Sequence, residues 1–143
     1  MSKKMFLVTL AGIFAFMLGT AYLWADTVGE SIERGNKMYN DPKFAENTTG
    51  MTCNSCHPGG KTTGGTVDVM GMKMKIPTLV GAAGHFPAVK TPEKKVISLA
   101  QMNNMCIMVF LKGKPLELNS QPAVDLEAYV AFFSQGRKIE LKK

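Results

Sequence analysis

Apolar positions along this 143-residue chain fall into separate patterns, and each predicts a different element. Residues 5–24 are apolar almost without a break behind Lys3 and Lys4, the layout of a secretory leader: a basic start, a hydrophobic stretch, then small residues. Residues 28–39 set Ile32, Gly35 and Tyr39 at helical spacing, with Glu30 and Glu33 early, where the helix dipole favours anions. Asp41-Pro42 closes that segment. Residues 67–76 alternate, with Val67 and Val69 followed by Met70, Met72 and Met74 around Lys73 and Lys75, which predicts a hairpin turning near Gly71. Residues 92–111 predict the longest helix, N-capped by Thr91, with Pro92 in the first turn and Gly113 and Pro115 as stops. Counted from Cys106, the residues Leu99, Met102, Val109 and Phe110 share its face, so Cys106 is expected to point inward. Met105 and Met108 lie on mixed stripes with Ser98, Gln101, Asn104 and Lys112. Residues 121–134 give a closing helix through Val124, Leu126, Tyr129, Val130 and Phe133, ended by Gly136. Pairing it with the first helix would build the core.

The leader sets the compartment. Cleavage after Ala21 puts Gly19 at the outer small position; cleavage after Ala25 puts Leu23 there, a poorer fit, but leaves a polar start at Asp26. The expected organisation is therefore a signal peptide over 1–25 and one domain over 26–143, exported to a bacterial periplasm or its equivalent. An uncleaved anchor is the alternative, since about 20 apolar residues can span a bilayer; only then would a membrane be a partner. The leader contributes Lys3 and Lys4 and no acid, so the remainder is less basic than the formal +6 of the whole chain. Its basic residues are scattered and not interleaved with aromatics, which argues against nucleic acid.

The chemistry is carried by Cys53-Asn54-Ser55-Cys56-His57, a C-x-x-C-H run of the kind that attaches c-type haem. Two thiols with a two-residue gap can add to the two vinyl groups of one macrocycle, and the next imidazole can hold the iron from below. A thioredoxin-type redox pair or half a zinc site are the competing readings. Neither needs a histidine directly after the second cysteine, and zinc needs further ligands. One covalent haem c is the expected cofactor, with His57 as its proximal ligand.

Residues 59–71 are rich in glycine and threonine and argue against a helix. In the following Ile76-Pro77-Thr78-Leu79-Val80-Gly81, the Pro77 carbonyl is free to accept from the second ring nitrogen of His57, and Leu79 can pack on the ring face. An ordinary proline turn is the plainer alternative. The three hairpin methionines suggest a cover over the haem edge or adaptable filling, ahead of a metal site.

Two cysteines on the haem leave Cys106 alone, and an unpaired thiol in an oxidising compartment is a liability unless buried or coordinated. It is the leading distal ligand to iron, with Met102, Met105, Met108, the hairpin methionines and His85 as alternatives. A buried inert thiol is the structural alternative. A thiolate there would stabilise ferric iron and lower the potential, whereas a thioether would raise it.

The order helix, C-x-x-C-H, glycine-rich loop, Pro-x-Leu-x-Gly, helix, closing helix resembles the class I cytochrome c family. That resemblance implies an all-α class I cytochrome c fold of three to four helices around one covalent haem, here with a small hairpin after the haem motif. It also places Pro77 and Leu79 on the family's Pro-x-Leu segment. Phe86-Pro87, then residues 98–106 with Asn104-Met105-Cys106, then Gly113-Lys114-Pro115-Leu116, is similar to the cytochrome domains of thiosulfate dehydrogenases and of the Sox sulfur-oxidation complex. In that branch the helix cysteine is the distal ligand, and Cys106 falls on it. Two features depart from the branch. Met102 stands about where thiosulfate dehydrogenases carry an arginine, and this chain has one C-x-x-C-H where those enzymes have a second haem domain. The expected function is a one-electron carrier exchanging electrons with other cytochromes, an oxidase or a reductase. The alternative is an oxidoreductase for thiosulfate or a related sulfur anion, or a subunit of one, with Lys90, Lys94 or Lys95 attracting the anion. A haem sensor with a displaceable sixth ligand is a third reading.

Overall fold

The computed structural model describes residues 26–69, 71–90 and 94–138. The expected leader, Met70 and the segment 91–93, including the proposed cap Thr91 and Pro92, lie outside the described residues.

Helix α1 spans Val28–Asn40. Thr27 caps it reciprocally: its hydroxyl accepts from the Glu30 amide while the Glu30 carboxylate accepts from the Thr27 amide. A four-residue turn of helix, α2, spans Cys53–Cys56. The antiparallel pair β1 (Thr66–Val69) and β2 (Met72–Lys75) follows, with Val67 opposite Met74 and Gly71 in the turn at φ 81°. This is the hairpin the alternation predicts. Its two described methionines do not fill gaps, however: Met72 is 60% and Met74 50% exposed.

A second hairpin pairs β3 (Ala88–Lys90) with β4 (Lys95–Ile97). It takes residues expected in the long helix, so helix α3 spans only Leu99–Val109. Ser98 is its N-cap, sharing a capping box with Gln101. Lys95-Val96-Ile97 is β-branched enough to pair as a strand once a partner lies alongside, and Ser98 is a stronger start signal than the periodicity recognised. With two small sheets present, the all-α description is too narrow.

Helix α4 spans Gln121–Phe132 and packs extensively on α1, as expected. The core gathers Tyr39, Phe44, Leu99, Ile107, Leu111, Leu126 and Val130. Two orientations differ from expectation. Ser31, Gly35 and Tyr39 form the buried stripe of α1, with Ile32 only partly covered. On α4 the buried face is Ala123, Asp125, Leu126 and Val130, while Val124 is 47% exposed. An acid in the core stripe is the reason: Asp125 is 1% exposed and accepts hydrogen bonds from Ser31 Oγ at 2.7 Å, Arg34 Nε at 2.7 Å and Gln121 Nε2 at 2.8 Å. Arg34 continues the network to Asp26. These guanidinium and hydroxyl donors hold the Asp125 carboxyl down at about 2. Where the helices cross, Gly35 lies under the Asp125 carbonyl, and a Cβ there would run into it.

Candidate haem-binding site

The turn α2 is short, so its ends must be tied locally. Thr52 and Ser55 cap one another, each side-chain oxygen accepting from the other's amide at 3.0–3.1 Å. At the far end Asn54 Oδ1 accepts from the Gly59 amide at 2.9 Å. The two residues between Cys53 and Cys56 thus hold the turn that presents both thiols. The His57 amide donates to the Cys53 carbonyl at 3.0 Å. The His57 carbonyl in turn accepts from the Gly60 amide and from the buried Tyr39 hydroxyl, which anchors the histidine backbone to α1.

All three cysteines are free thiols, and the fold brings Cys106 to Cys53 and Cys56 from across the chain. Burial first, then the nearby Cys106 sulfur, pushes the Cys53 thiol up to about 11. Burial and the Cys56 sulfur push Cys106 up to about 11 as well. Burial lowers the proton affinity of the His57 imidazole, and the Pro77 carbonyl acts in the opposite, weaker sense. That carbonyl faces the ring without closing a hydrogen bond of ordinary geometry, for His57 Nδ1 is buried and unpartnered. Leu79 packs at the edge of the core, and its amide donates to the Gly60 carbonyl at 2.8 Å, tying the Pro77 segment to the haem-motif loop.

The orientation of α3 differs from the one counted from Cys106. Leu99, Asn104 and Ile107 are its buried residues, and Val109 is exposed. Cys106 lies off this core stripe and turns toward the C-x-x-C pair. Periodicity finds an apolar face but does not separate a face packed on protein from one turned to a cofactor. Asn104, which the spacing put in a mixed stripe, is buried and clamps the chain after α3: its amide donates to the Leu116 carbonyl and accepts from the Leu116 amide, both at 2.8 Å. Met108 is exposed, Met102 and Met105 are half-buried, and His85 is exposed on the turn Ala82–His85. Among the described residues no cluster of three His, Cys, Asp or Glu side chains could hold a bare metal ion. No helix of the described residues is long and apolar enough to cross a membrane.

The model of the SoxA/TsdA cytochrome c domain family matches residues 34–139. The chain belongs to that family. A thiosulfate dehydrogenase from Allochromatium vinosum is 32% identical over 114 residues, which is 76% of this chain and 39% of that protein. The chain therefore spans well under half the length of that relative. Among solved structures, SoxXA from P. pantotrophus is similar in fold with a TM-score of 0.59 at 19% identity, covering 78% of this chain and 35% of that one. The as-isolated thiosulfate dehydrogenase TsdBA from Marichromatium purpuratum gives 0.60 at 17% identity, covering 78% and 24%.

A cytochrome c domain binds haem c, and the residues present fit that group. Two thiols stand two residues apart on one capped turn, the next residue is a half-buried histidine with an unpaired ring nitrogen, and a third thiol approaches the same place.

Sequence reasoning missed the Asp125 network, the Tyr39 anchor and the Asn104 clamp. An acid flanked by Ala123, Leu126 and Val130 was a signal for the first; the other two join residues far apart in the chain and left no local pattern.

Proposed function

We propose that this protein is an exported cytochrome carrying a single covalent haem c, and that it passes one electron at a time between redox proteins of the periplasm. Cys53 and Cys56 would carry the two thioether links and His57 the proximal nitrogen. The Pro77 carbonyl would orient the imidazole, Leu79 would pack beside the ring, and Cys106 would be the distal donor. The observation that carries this reading is the convergence of Cys106 on the C-x-x-C-H turn from a separate helix. Haem iron would supply the redox change. The chain holds the iron's ligands in place and keeps water from them, and so sets the potential rather than making or breaking substrate bonds. Burial leaves Cys106 a neutral thiol at pH 7 on its own, so a cation beside it is what would make it a thiolate.

The test is spectroscopic and then kinetic. The ferric protein is expected to show low-spin iron with one sulfur and one imidazole ligand, and Cys106→Met is expected to raise the midpoint potential. Reduced protein mixed with a multihaem cytochrome or an oxidase is expected to be oxidised rapidly. Inertness toward all such acceptors would remove the carrier reading.

The 32% identity to a thiosulfate dehydrogenase favours a second reading, catalysis on a sulfur anion by this chain or a complex containing it. Cys106 would then alternate between iron and substrate. Reduction of the haem by thiosulfate, lost in Cys106→Ala, would support it; no reduction of the wild type would end it. Met102, standing where the resembling branch carries an arginine, is the reason the carrier reading is preferred.

A further inference from the structure

Two buried side-chain polar atoms among the described residues have no hydrogen-bond partner, His57 Nδ1 and Asn103 Nδ2. A buried polar atom left unpaired is costly, so each calls for an explanation. The first belongs to the proposed proximal ligand. The second lies on α3, three residues before Cys106. Side chains on a helix lean toward its N-terminus, so Cys106 lies over the turn that carries Met102 and Asn103. Met102 has no N–H to offer. Asn104 is engaged at both ends of its amide by the Leu116 backbone. Asn103 stands on the helix surface between the core residue Ile107 and Cys106, with a buried amide nitrogen uncommitted.

We propose that Asn103 Nδ2 donates a hydrogen bond to the sulfur of Cys106 when that sulfur is bound to iron, and that Asn103 is a positioning residue that raises the potential. This rests on the reading of Cys106 as the distal ligand. An N–H aimed at a thiolate draws charge from the sulfur, weakens its donation to ferric iron and makes the ferrous state easier to reach. It also gives a buried donor an acceptor, offsetting the cost of leaving it unpaired.

The experiment compares the holoprotein with Asn103→Leu and Asn103→Ser, using resonance Raman and paramagnetic resonance of the ferric state beside redox titration. In Asn103→Leu the sulfur ligand is expected to be retained, the iron–sulfur stretch to rise, and the midpoint potential to fall by about 59 mV, a tenfold shift toward ferric iron. Asn103→Ser keeps an O–H donor and is expected to fall between the two; it also serves if the leucine variant fails to load haem. A sulfur-ligated Asn103→Leu with wild-type stretch and potential would overturn the proposal alone. Altered potential with an unchanged iron–sulfur stretch would overturn it in favour of a contact with a haem propionate. A wild-type ferric spectrum without sulfur ligation would instead overturn the ligand reading, and this proposal with it.

Discussion

The α1–α4 crossing and the α2–α3 face are built on opposite terms. At the crossing every buried polar group finds a partner within the chain: Asp125 is met by Ser31, Arg34 and Gln121, and the ring of Tyr129 packs edge to face on Tyr39 and Phe133 with centroids 5.0–5.1 Å apart. On and beside α2 and α3 lie three free thiols and the buried histidine and asparagine nitrogens without hydrogen-bond partners. Aromatic pairing and a satisfied carboxylate make a scaffold that needs nothing from outside. Thiols and unpaired donors at one place make a face whose groups suit a ligand from outside. The two regions meet at Tyr39, whose ring belongs to the first and whose hydroxyl holds the backbone of His57.

The largest effects should separate the two regions cleanly. In Cys53→Ala/Cys56→Ala, covalent haem is expected to be lost entirely, read as a purified mass equal to the bare polypeptide. Gly35→Ala attacks the other region. A Cβ there would sit 2.7 Å from Tyr129 Cβ and closer still to the Asp125 carbonyl oxygen, and a backbone carbonyl cannot swing aside as a side chain can. Helix separation should cost about 3 kcal/mol, seen as a lower thermal midpoint, with the ligand spectrum of the remaining folded protein unchanged.

Local signals made much of this readable from sequence. The Gly71 turn, the spans of the first and closing helices and the C-x-x-C-H spacing each need only a few neighbouring residues, and the elements stand where those residues put them. The segment 92–111 was divided by the Ser98 cap and by a strand partner that lies before it. Val96 pairs with Val89 across the second hairpin, and a strand partner overrides helical spacing. The site was legible as donors and not as geometry. Cys53, Cys56, His57 and Cys106 could be named, but the rotation of α3 depends on Ile107 and Leu111 reaching the core and on the Asn104 clamp to Leu116.

Asp125→Asn is the next test in size. The native carboxyl sits at about 2 against an ordinary value of 3.8, so the unfolded chain binds more protons between those values. Its contribution is complete above about pH 4 and is lost as the pH falls toward 2. Arg34 is partly open to solvent, which limits the gain to roughly 1–2 kcal/mol. Urea unfolding from pH 2 to 7 is expected to show wild-type stability rising with pH across that window and a flatter curve for the variant. Equal slopes would mean that another carboxylate carries the acid sensitivity.

Val124→Ala is the smallest and the most direct test of how α4 is turned. Helical spacing alone put Val124 in the core with Leu126 and Val130, where truncation would remove buried methyl groups and cost at least about 1 kcal/mol. The structure instead leaves it 47% exposed, one position before the buried Asp125. On an exposed helix surface alanine is the better helix former, because valine loses rotamer freedom against the preceding turn. Unfolding of Val124→Ala is therefore expected to be unchanged or more difficult by a few tenths of a kcal/mol. A loss above about 1 kcal/mol would mean that α4 is rotated toward the apolar stripe the spacing suggests, and that Asp125 is not the group that locks it against α1.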